Sequence, residues 1–174
     1  MKQNFNTALG FLLQHEGGFV VNPQDPGGMT NLGVTKATWQ QYVGHPVTGA
    51  DMRNLTPDNV SPLYHDCYWN VIQGDDLPGG LDYAVFDCAV FDCAVNSGTP
   101  KAIRILQSIL GVRTDGVMGS RTIASLDGKS ATDLINQYCD ERLRFLRALP
   151  TWADFGTGWG RRVEEVRAQA LTLA

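Results

Sequence analysis

The chain has 174 residues, of which 43% are hydrophobic, and a formal net charge of −4 at pH 7. This length and composition allow one compact body with a substantial core, whereas the acidic balance and the lack of a known motif disfavour nucleic-acid binding. The sequence has neither a run of eighteen apolar residues nor a signal-peptide pattern, so we expect no membrane span and synthesis in the cytoplasm.

The first predicted element is an amphipathic helix from Asn4 to about His15. Its apolar residues recur at helical spacing, which predicts one core-facing side. Gly17 and Gly18 follow as flexible positions typical of a helix end, so Glu16 falls in or just past the last turn. The negative end of the helix dipole and partial burial disfavour an ionised carboxylate there. We therefore expect a raised pKa for this glutamate, as a general acid requires.

A second carboxylate, Asp25, follows nine residues later in a loop rich in glycine and proline. The next residue is a proline and two glycines come after it, so this aspartate is predicted to be exposed and ionised at a sharp turn. The segment from Met29 to Thr35 alternates loosely in polarity and predicts a short hairpin folding back toward Glu16, where Thr30 would help Asp25 hold a water. A carboxyl separation of roughly 6.5–9.5 Å would favour inversion at a sugar's anomeric carbon, but the spacing leaves that distance open.

From composition and spacing alone, two interpretations of these carboxylates stay open. A glutamate at a helix end is usually a solvated surface residue, and an aspartate before Pro-Gly-Gly usually serves the turn. The alternative is an acid and base pair of a glycoside hydrolase.

The sequence around both carboxylates resembles the signature of the glycoside hydrolase 108 family of phage and bacterial muramidases. The matching stretches are His15-Glu16-Gly17-Gly18-Phe19 and Asn22-Pro23-Gln24-Asp25-Pro26-Gly27-Gly28-Met29-Thr30-Asn31-Leu32-Gly33-Val34-Thr35. In that family the glutamate of the Glu-Gly-Gly motif is the catalytic acid, which carries over to Glu16. The spacing also resembles the T-even phage type of lysozyme, whose Glu/Asp/Thr triad corresponds to Glu16, Asp25 and Thr30. Asn31 beside them is assigned to substrate binding.

A later helix is predicted from the cap Thr56 and from Pro57 at the first helical position. It carries Tyr64 and Tyr68 on one face, with Trp69 next in the chain. Aromatic rings in a cleft stack on sugar faces, and a Tyr-Trp pair recurs in the resembled family, so Tyr68 and Trp69 are candidate substrate-binding residues. Packing in the core is the alternative for such rings.

A five-residue block then occurs twice in a predicted apolar helix. The copies are Ala84-Val85-Phe86-Asp87-Cys88 and Ala89-Val90-Phe91-Asp92-Cys93. Members of the resembled family carry one such block. Five residues displace a helical face by about 140°, so we expect the second copy to keep the family packing and the first to extend or distort the helix. The helix is apolar all round and therefore predicted to be buried, so Asp87 or Asp92 needs partners. Asn96 at its end is a candidate substrate-binding residue of the cleft.

The second half of the chain is the more basic one. Residues 96–174 hold eleven basic and eight acidic side chains, which favours contact with an anionic wall polymer, although ordinary solvated helix faces explain the arginines equally well. A helix is predicted over 101–110, and the glycine-rich segment 111–122 resembles the repeat of helical peptidoglycan-binding modules. Further helices are predicted at about 131–148 and 159–172, separated by a turn rich in tryptophan and glycine.

Together these features predict a mainly α, lysozyme-like (α+β) protein, a helical bundle with a small β-hairpin near the active site. Residues 1–95 form a lysozyme-like catalytic region and residues 96–174 a helical peptidoglycan-binding-like region, packed as one compact unit. The resemblance implies an endolysin-like enzyme that hydrolyses the β-1,4 bond between N-acetylmuramic acid and N-acetylglucosamine in bacterial peptidoglycan. It is expected to act as a monomer, made in the host cytoplasm and reaching the wall in the periplasm after release.

Two other functions stay open at this point. A lytic transglycosylase would use Glu16 alone and leave a 1,6-anhydro end. A non-catalytic wall-binding protein would use the second half of the chain, and Glu16 would be incidental. No cofactor and no metal are expected, because the cysteines and histidines show no paired ligand motif, and the four cysteines are predicted to be free thiols.

Overall fold

The computed structural model describes residues 2–21, 28–91 and 98–174, which fall into two compact units. The smaller unit is Leu9–Cys67, and the larger one comprises the described residues before and after it. This division does not follow the predicted one at residues 95 and 96, because the helix before that position packs against the helices after it. The predicted division into a catalytic and a wall-binding region concerns function and stays a prediction.

The fold is mainly helical with a small antiparallel sheet, as predicted. In chain order the elements are α1 (Lys2–His15), β1 (Val20–Val21), β2 (Met29–Asn31), β3 (Val34–Thr35), α2 (Lys36–Val43), α3 (Gly49–Arg53), α4 (Pro57–Tyr64), α5 (Leu81–Phe91), α6 (Gly98–Leu110), α7 (Ser120–Ala124), α8 (Ala131–Arg147) and α9 (Trp152–Leu171). A π-helical turn (His65–Trp69) follows α4, and a 3-10 turn (Gly74–Asp76) precedes α5.

The smaller unit is built around the three-stranded sheet, in the order β1-β2-β3. Strands β2 and β3 are joined by a two-residue turn, Leu32 and Gly33, whose φ angles are 50° and 75°. Positive φ at both positions suits the tight turns whose twist matches that of a hairpin. Helix α4 starts as predicted, with Thr56 as its cap and Pro57 as its first residue. The side chains of Thr56 and Asn59 each accept a hydrogen bond from the other residue's backbone N–H.

Helix α5 forms the centre of the larger unit. Every residue from Leu81 to Ala89 is buried, because α6, α8 and α9 pack around the helix. Its buried carboxylate, Asp87, accepts a hydrogen bond from Arg142 Nη1 at 2.8 Å and another from Arg162 Nη2 at 2.7 Å. The predicted need for partners is thereby confirmed, and both partners come from distant helices.

Helix α5 runs through the first copy of the duplicated block as a regular helix, so the predicted alternative of a distorted helix is wrong. This copy supplies the buried Asp87. That the second copy keeps the family packing stays a prediction. From the second copy, Phe91 lies over the arginines, its ring centroid 4.0 Å from Arg162 Cζ. Asp92, Cys93 and the candidate Asn96 lie outside the described residues. The described cysteines are free thiols; they are Cys67, Cys88 and Cys139.

Helix α9 begins seven residues earlier than the predicted position 159. The segment predicted as a tryptophan- and glycine-rich turn is helical, and Gly156 makes room for a ring on the helix surface. A Cβ at Gly156 would stand 2.5 Å from ring atoms of Trp152. Phe155 stacks on Trp159 in the same segment, with ring centroids 5.7 Å apart.

Candidate active site

Glu16 follows the last residue of α1 directly, and its side chain is half-buried. Its carboxyl group rests against the turn between β2 and β3. A Cβ at Gly33 would stand 3.0 Å from both Cδ and Oε2 of this glutamate, so only glycine leaves room for the carboxyl group at its present position. The helix end and the hairpin turn together fix where the acid lies.

Tyr64, the last residue of α4, meets the same turn. It is 1% exposed, and its hydroxyl donates a hydrogen bond to the Leu32 carbonyl oxygen at 2.8 Å. The hydroxyl oxygen would also be 2.6 Å from a Cβ at Gly33. The Tyr64 hydroxyl and the Glu16 carboxyl both lie within 3.0 Å of this one point, so the two groups are neighbours at the turn.

Tyr64 is not among the site residues predicted from the sequence. A buried tyrosine hydroxyl needs a hydrogen-bond partner, and that rule alone marks Tyr64 as worth attention. The identity of the partner depends on how α4 packs on the hairpin, which no local pattern reveals.

Thr30 and Asn31 are neighbours on β2. Thr30 is half-buried, pairing with Val20 on one side and Thr35 on the other. Asn31 is 5% exposed, and its Nδ2 donates to the Met52 carbonyl oxygen at 2.8 Å. This amide therefore holds α3 against the sheet, which argues against the predicted substrate contact.

The other predicted site residues are spread more widely. Asp25 lies outside the described residues, so its distance from Glu16 stays a prediction, as does its role.

In the larger unit, Tyr68 is partly exposed. Trp69 is 1% exposed and its Nε1 donates to Asp75. It lies edge-on to Phe5 and Phe86, both with centroids at 5.4 Å. A ring so enclosed offers no face to a sugar, so the alternative of core packing describes Trp69.

Fewer arginines of the second half are available to a wall polymer than the sequence predicts, because several of them are paired with carboxylates. Arg142 and Arg162 are buried on Asp87, and Arg167 Nη2 donates to Asp140 at 2.6 Å. Within the described ranges, no group of three or more His, Cys, Asp or Glu side chains is placed to hold a metal ion. No helix in the described part of the chain is both long enough and apolar enough to cross a membrane.

Glycoside hydrolases need a carboxylic acid as their general acid, and Glu16, at the end of the first helix and against the hairpin turn, is a carboxyl group of this kind. The family model described as Glycosyl hydrolase 108 matches residues 9–98, and a second, described as Predicted Peptidoglycan domain, matches residues 101–164. The chain belongs to the glycosyl hydrolase 108 family and is a peptidoglycan-degrading enzyme.

A solved structure, titled "Structure of Brucella abortus SagA", is similar along nearly the whole length. It is 41% identical, with 99% of this chain and 96% of that chain covered and a TM-score of 0.81. No match is found among curated proteins.

Proposed function

We propose that the protein is an N-acetylmuramidase that hydrolyses the β-1,4 bond between N-acetylmuramic acid and N-acetylglucosamine, with Glu16 as its general acid. The observation that carries the proposal is the place of this carboxyl group, half-buried at the end of α1 and against Gly33. The negative end of the helix and the partial burial both favour the protonated form of the acid.

In this mechanism Glu16 donates its proton to the glycosidic oxygen as the bond from that oxygen to the anomeric carbon breaks. Asp25 accepts a proton from a water molecule, and that water adds to the anomeric carbon. Thr30, on the strand that leads into the turn, orients the water. The two carboxyl groups thus divide the acid and base work of hydrolysis.

The proposal includes the biological setting that the resemblance to phage muramidases supports. The enzyme is made in the bacterial cytoplasm and acts as a monomer on the periplasmic wall after release, as an endolysin does. The match to a peptidoglycan domain over residues 101–164 supports the same substrate.

Product analysis in heavy-oxygen water tests the reaction. Purified diaminopimelate-type peptidoglycan is digested with the full chain in H₂¹⁸O, and the soluble fragments are analysed by mass spectrometry. A muramidase places one heavy oxygen on a reducing N-acetylmuramic acid end at each cut. Fragments with 1,6-anhydro ends and no heavy oxygen would instead establish a lytic transglycosylase, and binding without any released fragment would identify a wall-binding protein.

We also expect Tyr64 to act as a positioning residue for the acid. Its hydroxyl holds the Leu32 carbonyl and thereby the turn on which the Glu16 carboxyl rests. Tyr64→Phe leaves that carbonyl without its donor, and the loss of one hydrogen bond of about 1 kcal/mol corresponds to roughly a fivefold to tenfold lower kcat. KM should change little, because the hydroxyl is not proposed to touch the substrate.

Tyr42→Phe is the matched control for this prediction. Tyr42 belongs to the same unit, and its hydroxyl donates to Asp66 at the exposed surface. Steady-state kinetics across pH compare the two variants. An unchanged kcat and an unchanged pH profile in Tyr64→Phe would show that the tyrosine only stabilises the fold.

A further inference from the structure

A cavity of about 500 Å³ lies in the larger unit, beside the segment between α6 and α7. Its size is in the range of sites that take small ligands. Because the whole cavity falls within residues 107–122, it belongs to the region that matches the peptidoglycan domain. The question is which part of peptidoglycan its walls would recognise.

The floor of the cavity is held in place by Gln107, which is 1% exposed. Its Nε2 donates to Asp115 Oδ1 at 2.8 Å and to the Val117 carbonyl oxygen at 3.0 Å. Its Oε1 accepts from the Gly116 N–H at 2.9 Å. One buried amide therefore fixes three successive residues of the loop, so little further ordering is needed when a ligand binds.

The walls combine apolar surface with positive charge. Val112 and Val117 form the apolar part, and Val117 is 66% exposed. Arg113 and Arg121 supply two guanidinium groups against the single carboxylate of Asp115, whose Oδ1 accepts from Gln107 Nε2 and from the Val117 N–H. The cavity therefore has a net positive charge and suits an anionic group.

These two arginines differ from those of α8 and α9. There each arginine is paired with a carboxylate or lies over a ring; the six are Arg142, Arg144, Arg147, Arg161, Arg162 and Arg167. Arg113 and Arg121 are exposed and form no salt bridge with any side chain in the described part of the chain. Their guanidinium groups remain available for bidentate binding of a carboxylate.

We propose that this cavity binds the carboxylate-bearing stem peptide of peptidoglycan and not its glycan strand; the proposal rests on the proposed function in taking peptidoglycan as the substrate. Stem peptides carry free carboxylates for the two arginines and alanine methyl groups for the two valines. Among the described residues that line the cavity none is aromatic, so they offer no flat ring to pack on a sugar face. The contact holds the enzyme on the wall between successive cuts.

The test compares two double variants of the full chain, Arg113→Ala/Arg121→Ala and Arg144→Ala/Arg161→Ala. Both remove two exposed positive charges, but only the first pair lines the cavity. Cosedimentation with purified sacculi at low temperature is expected to show at least a tenfold weaker affinity for the first variant and less than a twofold change for the control. The affinity of the wild type should fall with added salt, and that dependence should be weaker in the cavity variant.

A soluble probe separates peptide from glycan. Binding of a synthetic tetrapeptide, L-Ala-γ-D-Glu-meso-diaminopimelate-D-Ala, is followed by NMR of the valine methyl groups, beside the same peptide with amidated carboxylates and a peptide-free glycan tetrasaccharide. Only the free peptide is expected to shift the Val112 and Val117 signals. Equal binding of the amidated peptide or the glycan, or wild-type affinity of the cavity variant, would overturn the proposal.

Melting curves check that each variant is folded, and exposed substitutions of this kind change stability little. The heavy-oxygen experiment on the wild type reports on the chemistry independently. Reducing ends without peptide binding would support the muramidase activity and overturn the cavity proposal. Peptide binding without cleavage would support the cavity proposal and overturn the muramidase activity.

Discussion

Replacing Asp87 with asparagine is expected to lower the free energy of unfolding by about 3–5 kcal/mol, the usual effect of breaking a buried ion pair from one side. The Asp87 carboxylate is fully buried and accepts from both Arg142 and Arg162. A neutral amide of the same size would remove the counter-charge that Asp87 gives to two buried guanidinium groups. Urea unfolding at pH 7, followed by circular dichroism, measures the difference.

Asp127→Asn is the control, since Asp127 is exposed. It should change stability by no more than about 0.5 kcal/mol. A comparably small effect of Asp87→Asn would show that the arginines find other partners or admit water, and that the cluster contributes little to stability.

The pH dependence of this difference has a definite sign. Burial alone would raise the pKa of Asp87, but the charges of Arg142 and Arg162 outweigh it and hold the pKa below its ordinary value. A lowered pKa means that the stabilisation is fully present above the ordinary carboxyl pKa of about 3.9 and is lost as pH falls through the lower folded value. The difference in the free energy of unfolding between the wild type and Asp87→Asn should therefore stay constant from pH 7 to about 5 and become smaller below about pH 4.

Glu16→Gln is expected to lower kcat by about 10²–10⁴-fold, the usual contribution of a positioned general acid. Glutamine matches the size of the glutamate and fits beside Gly33, but its amide has no acidic proton for the leaving oxygen. Release of reducing ends from sacculi measures kcat, and cosedimentation shows whether substrate binding survives. We expect binding and the melting temperature to stay close to those of the wild type.

The control for this substitution is Glu165→Gln, the same carboxyl-to-amide change at a surface position of α9. It should retain the full rate. If Glu16→Gln retained more than about a tenth of the wild-type kcat, Glu16 would not be the acid, because one tenfold step corresponds to only about 1.4 kcal/mol of transition-state stabilisation.

Features set by neighbouring residues were predictable from the sequence. Helix α1 ends at His15, shortly before Gly17 and Gly18 as predicted, and this places Glu16 where the acid is proposed to be. Thr56 and Pro57 start α4, because capping needs only the side chains of adjacent positions. The buried character of α5 follows likewise from its own apolar residues.

Features set by distant residues were not predictable in this way. Charge alone marked Arg142 and Arg162 as surface residues, because their partner lies 55 and 75 residues away along the chain. Glycine content suggested a turn where α9 begins, although Gly156 is there to accommodate the Trp152 ring. The hydrogen bond from Tyr64 to Leu32 spans 32 residues and depends on the packing of α4.

The repeated block of α5 also bears on how such a chain can change over generations. Because the two copies are identical, loss of either one by replication slippage would leave the same shortened sequence. In that sequence the remaining aspartate would still follow Leu81 by the six positions that separate Asp87 from it now. The helix from Leu81 to its buried charge would keep its sequence, whereas Phe91, whose ring lies over Arg162, would be lost. Loss of one copy would therefore keep the buried aspartate but remove the ring that lies over its two arginine partners.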